Sequence, residues 1–199
     1  MSLSQRVGGL RTRGLRHAHA GPFDLDLPPG ACLAITGPSG SGKSLLLRMV
    51  ADLDPHEGKA WLDGVDRSTL SGPDWRRRVV YAPAEPGWWL ERVGDHFAVP
   101  SPDAARLGLS PDIWDRAVAA CSTGERARLA LLRALAAGPA VLLLDEPTGA
   151  LDHETALAVE ALLAERMRAG LGLVLVTHDA AEAERLGTVR RRMASGRLA

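Results

Sequence analysis

Cysteine is scarce in this 199-residue chain: Cys32 and Cys121 stand alone, too few for a disulfide framework or a zinc cluster. That scarcity fits a reducing cytosol. No apolar run comes near the ~20 residues that a membrane-spanning helix needs. The N-terminal MSLSQRVGGLRTRG has no apolar centre and does not read as a secretory signal. A basic excess is missing too. There are 24 basic and 24 acidic residues, a formal net charge of +0, so nothing marks a non-specific nucleic-acid binder. Asparagine is absent, Gln5 is the only glutamine, and Lys43 and Lys59 are the only lysines. The expectation is a soluble intracellular protein of one domain, for which 199 residues at 46% apolar content are enough to build a core.

What is present reads as alternating strands and helices. Phe23, Leu25 and Leu27 alternate with Asp24 and Asp26 before Pro28-Pro29-Gly30, a half-buried strand running into a turn. Residues 31–36 form an apolar run of strand length, followed at once by a Gly/Ser loop. Residues 44–53 carry Leu46, Leu47, Val50 and Leu53 in a helical pattern, and short strands are expected at 59–62 and 78–82. From 83 to 111 the texture changes to Pro, Gly, Trp and scattered charge, the mark of an inserted subdomain. Residues 123–137 make a helix with arginines on one side and Leu129, Leu132 and Leu135 on the other. The runs 141–144 and 173–176 are short, fully apolar and bounded, as in a buried parallel sheet. Helices are expected after them, at 153–169 and 179–186. This order predicts an α/β fold with a mostly parallel sheet.

Gly37-Pro38-Ser39-Gly40-Ser41-Gly42-Lys43-Ser44 fits G-x-x-x-x-G-K-[ST] between a predicted strand and a predicted helix. Glycines let consecutive backbone N–H groups turn toward phosphate oxygens, and the helix start adds its positive dipole end. Lys43 would reach the β- and γ-phosphates and the Ser44 hydroxyl would ligate Mg²⁺. The alternative is a plain Gly/Ser turn. From the chain's own residue frequencies, such a match arises by chance in only ~0.2% of cases, and the strand–loop–helix setting lowers that further.

A second set of groups is weaker by itself. Leu142-Leu143-Leu144-Asp145-Glu146 ends an apolar strand in two carboxylates. The first would hold Mg²⁺ and the second could polarise a water, yet such pairs also serve as helix caps or surface charge. His178 follows another apolar strand, where a histidine is either a γ-phosphate sensor or a solvated loop residue.

Taken together, the phosphate loop at 37–44, AVLLLDEPTGALD at 140–152 and LVLVTHD at 173–179 resemble the ATP-binding cassette of ABC transporters. Cys121-Ser122-Thr123-Gly124-Glu125 stands where that family carries its signature, usually LSGGQ. The resemblance covers nearly the whole chain. It implies a P-loop NTPase fold of the ABC type, with a RecA-like, mostly parallel core, an N-terminal antiparallel β part and a short helical subdomain. The core would comprise about 1–83 and 127–199, and the reduced subdomain about 84–126. It also implies that residues 37–44 bind the triphosphate of ATP, Asp145 binds Mg²⁺ with Ser44, Glu146 is the general base and His178 the switch histidine. Ser122 and Gly124 would contact ATP held by a second copy, and Asp152 would lie in the inter-subunit loop. The implied partners are that second copy, in a head-to-tail homodimer, and a separately encoded membrane permease. No nucleic acid is implied. The implied location is cytoplasmic, peripheral on the inner face of the cell membrane through the permease.

The family pattern fails in places. Its Q-loop glutamine falls at Ala84, and Gln5 cannot supply one by any shift of alignment. Glu85 is adjacent and could offer an oxygen instead. Cys121, Thr123 and Glu125 depart from the signature, and Thr123 narrows a site built for close backbone approach. No aromatic residue precedes Phe23 to stack on adenine, which leaves His17 or His19. These departures keep a second function open, a weakly hydrolysing nucleotide-dependent regulator. Soluble DNA-maintenance ATPases of the same site type carry a long coiled coil, for which the interval from Ser44 to Cys121 is too short. Trp88 and Trp89, if on a strand, would point to opposite faces, one to the core and one outward. In the family this surface receives the permease.

Overall fold

The computed structural model describes residues 8–18 and 20–199; Gln5 and His19 lie outside them. The chain runs through β1 (Leu10–His17) and β2 (Ala20–Leu27) into β3 (Cys32–Thr36) and α1 (Lys43–Val50). It continues through β4 (Glu57–Leu62), β5 (Val65–Asp66) and α2 (Gly72–Arg78) to β6 (Val79–Ala82). Then come α3 (Thr123–Ala136), β7 (Val141–Asp145), α4 (His153–Arg168), β8 (Gly172–Val176) and α5 (Ala180–Leu186). A last hairpin pairs β9 (Val189–Ala194) with β10 (Arg197–Leu198).

Six strands form the central sheet in the order β10-β9-β3-β8-β7-β6. All neighbours are parallel except the β9–β10 pair at one edge. Successive residues of its strands sort to opposite faces, because side chains alternate along a strand. Leu33, Ile35, Val141, Leu143, Val174 and Val176 join α1, the N-terminal strands and Trp75 in one core. Cys32, Leu142, Leu144, Leu173 and Leu175 join α3 and α4 in a second. A sheet covered on both faces explains why these strands read as continuous apolar runs rather than alternating ones.

The second sheet is antiparallel, in the order β2-β1-β4-β5. Strand β1 has little apolar signal, since LRTRGLRH carries three arginines and its pairing slips between Thr12 and Leu15. Gly14 lies inside that slip at φ 61, a left-handed value natural to glycine at a bulge. Thr12 is fully buried. Its hydroxyl donates to the Phe23 carbonyl at 3.2 Å and accepts the Leu25 N–H at 3.1 Å, so its polarity is satisfied.

Helix α2 was not expected from the sequence. Ser71 caps it, Pro73 sits in its first turn, and Trp75 is buried with its indole N–H donating to the Val50 carbonyl at 2.9 Å. The stretch 83–122 holds four 3-10 turns and no α-helix. Both cysteines are free and buried, and burial pushes the Cys32 thiol up to about 12, which makes it a poor thiolate. No helix among the described residues is long and apolar enough to cross a membrane.

Candidate functional site

The phosphate loop leaves the end of β3 and is shaped by its glycines. A Cβ at Gly37 would stand 2.1 Å from the Met193 carbonyl oxygen of β9, so only glycine fits between loop and neighbouring strand. Gly42 caps α1 at φ 104. Lys43 is 6% exposed, and its Nζ donates to the carbonyls of Gly37 and Pro38 at 2.8 and 3.0 Å. The ammonium is therefore already curled into the loop. The Ser41 hydroxyl is buried and has no hydrogen-bond partner, an uncommon condition for a buried polar atom. A cradle of this kind, with one buried cation and an unsatisfied hydroxyl, fits a polyanion.

The two carboxylates stand at the end of β7 in different surroundings. Asp145 is buried, and the Tyr81 hydroxyl from β6 donates to its Oδ2 at 3.1 Å. Burial, with the nearby Asp145 charge, pushes the Tyr81 phenol well above its ordinary range, so it remains a donor at neutral pH. Glu146 turns outward at φ 52, a left-handed value that costs a residue with a side chain about 1–3 kcal/mol. Its N–H is held by the Val176 carbonyl of β8 at 2.9 Å. His178 sits just beyond β8 and brings Nε2 to 2.7 Å from Glu146 Oε1. Lys43, Ser44, Glu146 and His178 line one cleft, together with Ser39, Gly40 and Gly42.

Ser122, Gly124 and Asp152 do not line that cleft. Ser122 caps α3 in a reciprocal box: its hydroxyl accepts the Glu125 N–H at 3.1 Å and Glu125 accepts the Ser122 N–H at 2.8 Å. Glu125 is also paired with Arg116 at 2.8 Å. Its carboxyl lies below the usual range, chiefly through the Ser122 N–H. Gly124 packs close to Ala150 and Leu151, and Asp152 caps α4 through Thr155. Ala84 and Glu85 are exposed and share a second cleft with Glu146, Thr123 and Arg126. His17 lines a separate recess beside Pro55 and His56.

Trp88 and Trp89 do not lie on a strand, so the expected alternation does not apply. Both rings pack against His96 and under the Arg133 guanidinium, which lies 4.4 Å from the first centroid and 4.7 Å from the second. Trp88 is half-buried and Trp89 is 68% exposed.

Residues 21–149, more than half of the chain, match the ABC transporter family. The chain belongs to that family. Among relatives of this cassette, the aliphatic sulfonates import ATP-binding protein SsuB 2 of Xanthomonas axonopodis pv. citri is 38% identical over 193 residues, covering 89% of the chain and 65% of the relative. SsuB 2 of Agrobacterium fabrum is 40% identical over 177 residues, covering 83% and 66%. The taurine import ATP-binding protein TauB of Pseudomonas aeruginosa (strain UCBPP-PA14) is 38% identical over 193 residues, covering 88% and 72%. The cassette thus spans just under two thirds of the first two relatives. The dimeric, post-hydrolysis structure of the ATP-binding cassette MJ0796 bound to ADP and Pi superposes with a TM-score of 0.80 at 21% identity, over 95% of this chain and 96% of that one. The fold is therefore the ABC-type P-loop NTPase fold.

Two features of this ABC site were missed in the sequence. Tyr81, the only tyrosine, carries no motif; only its place on the strand next to β7 ties it to Asp145. Glu182 reads as a surface residue of a short helix, yet it is fully buried and accepts the Thr148 hydroxyl at 3.0 Å.

Proposed function

We propose that this chain is the ATP-binding and ATP-hydrolysing subunit of an ABC transporter, powering a separately encoded membrane permease as a head-to-tail homodimer. The main support is the single cleft that collects Lys43 and Ser44 after β3, Glu146 after β7 and His178 after β8. In parallel α/β sheets, ligands bind at the carboxyl ends of strands. The relatives named as import ATP-binding proteins support the permease partner. The dimeric cassette of the same fold supports the dimer.

In this reading residues 37–44 bind the triphosphate, through the backbone N–H groups that all of them except Pro38 carry and through the Lys43 ammonium. Ser44 and Asp145 are hard oxygen donors suited to Mg²⁺, and Mg²⁺ neutralises charge on the phosphates when bound. Tyr81 fixes the Asp145 carboxylate. Glu146 takes a proton from the attacking water at its carboxylate, while His178 holds that carboxylate through Nε2. Ser122 and Gly124 contact the γ-phosphate on the second copy, and Asp152 lies at the subunit interface. Residues 84–126 act as the reduced subdomain facing the permease, on a core of 1–83 and 127–199. The working location is the cytoplasmic face of the membrane.

A weakly hydrolysing regulator is the second reading, favoured by Ala84 beside the cleft of Glu146 and by a signature Glu125 tied up in a cap and an ion pair. Phosphate release separates the two. The transporter subunit turns ATP over slowly alone and faster once its permease is added in detergent. Nucleotide binding without turnover in either state would decide for the regulator.

A further inference from the structure

Two loops carry the hydrolytic pair, one after β7 and one after β8, and three contacts join them. The first is the Glu146 N–H to the Val176 carbonyl at 2.9 Å, and the second is the Glu146–His178 pair itself. The third involves neither reacting side chain: the Thr148 hydroxyl donates to Glu182 Oε1 at 3.0 Å. Thr148 lies two residues after Glu146, in a turn closed by Gly149 N–H to Glu146 carbonyl and Leu151 N–H to Thr148 carbonyl. Glu182 lies in the first turn of α5, which begins directly after His178 and Asp179. That start is itself rigid, because the Asp179 N–H donates to the Thr177 hydroxyl and the Asp179 carboxylate caps Ala181.

We propose that Glu182 is a positioning residue of the hydrolytic site: through Thr148 it ties the turn that follows Glu146 to the helix that follows His178, and so sets the contact between those two side chains. The proposal rests on the ATPase reading above. A carboxyl with 0% exposure is costly, and its Oε2 has no hydrogen bond of normal geometry, although the Thr177 hydroxyl is nearby. An apolar side chain of similar size would pack there at less cost. Burial accordingly raises its carboxyl above the usual range. Glu146 needs an external hold because its backbone is left-handed. A tie at Thr148 resists relaxation of that turn without occupying the cleft.

Thr148→Val and Glu182→Leu each remove the tie, whereas Thr148→Ser and Glu182→Gln keep it. In the full-length protein, with Glu146→Gln alongside, kcat and KM for ATP are measured at saturating Mg²⁺. Since a shift of about 1 Å in a catalytic group can cost about 10²-fold, the first two variants should lose about tenfold in kcat, with KM within about twofold. Their double variant should lose no more than either, because both cut one link, and the conservative variants should restore the parent rate. If a Glu182 variant fails to fold, the Thr148 pair alone decides. Parent-like kcat in folded Thr148→Val, or multiplied losses in the double variant, overturns the positioning role while a Glu146→Gln defect leaves the ATPase reading standing. A parent without Mg²⁺-dependent hydrolysis, or an undiminished Glu146→Gln, overturns both.

Discussion

His178 Nε2 stands 2.7 Å from Glu146 Oε1, joining the ends of two adjacent parallel strands at the mouth of the phosphate loop. The pair is half-exposed on each side, 47% and 35%, so solvent reaches the carboxylate from the cleft. This arrangement gives a carboxylate that is oriented from one side and wet on the other, which suits a base acting on water.

Glu146→Gln should therefore separate binding from chemistry. The amide keeps an oxygen for His178 but loses the basicity, so ATP binding should persist while hydrolysis slows by about 10²–10⁴. A non-hydrolysing form should also accumulate as an ATP-bound dimer. Single-turnover rates and a sizing column run with ATP check both statements. Hydrolysis at the parent rate would assign the base elsewhere.

Lys43 is the next test. Its ammonium already bridges two loop carbonyls, so Lys43→Ala removes the cation proposed to meet the phosphates together with two local bonds. MgATP affinity should fall by more than about 100-fold, the scale of a lost charge-assisted contact in a buried site. Tm should move only a few degrees, since about 1 kcal/mol shifts a domain of this size by about 2–4 °C. Titration with a fluorescent ATP analogue, set beside thermal unfolding, reads the two effects apart. A folded variant with unchanged affinity sinks the assignment.

Much of this site was legible because its chemistry is local. The phosphate loop, the strand ending in Asp145-Glu146 and the Thr177-His178-Asp179 turn each occupy a few consecutive residues flanked by apolar strands. Strands β3, β7 and β8 were legible for the same reason, being buried on both faces. Strand β1 was hidden by the exposed Arg11, Arg13 and Arg16 and the bulge at Gly14, and β9 by three successive exposed arginines, because both strands are held by backbone pairing on two sides while much of their side-chain surface faces solvent. The tie from Thr148 to Glu182 and the Tyr81–Asp145 bond join residues distant in sequence, so no spacing rule could reveal them. Trp88 and Trp89 misled for a related reason. Their segment is irregular, and one arginine and one histidine hold both rings.

The missing glutamine yields a prediction with two arms. Ala84 and Glu85 both line the cleft that reaches Glu146. If Ala84 merely leaves a catalytic gap, Ala84→Gln should raise the hydrolysis rate of the isolated protein by about tenfold or more, within what one positioned polar group contributes. Glu85→Ala should lower the rate and raise the Mg²⁺ concentration needed for half-activity. A Mg²⁺ titration of initial rates covers both variants. Glu85 has no substitute role if its removal changes neither value.

The last prediction concerns the two tryptophans, which the structure makes unequal. Trp88 is half-buried against the second core, edge-on to His96 at 4.9 Å and under Arg133. The Arg133 guanidinium also donates to the Gly87 carbonyl at 2.9 Å, which pins the loop from below. Trp88→Ala should then cost about 2–4 kcal/mol, as truncation of a largely packed aromatic does, and lower Tm by several degrees. Trp89 presents 68% of its surface to solvent beside exposed Leu90. Its loss should cost the fold less than about 1 kcal/mol, the usual range for surface positions. An exposed aromatic on a pinned loop has already lost most of its freedom, so little ordering entropy opposes docking. The proposed partner for this face is the permease, and Trp89→Ala should weaken that complex by about 2 kcal/mol or more, the scale of an interface anchor. Co-purification yields and Tm, measured for both variants, form the test. Equal losses of stability, or an undiminished complex in both, would remove the docking role from this loop.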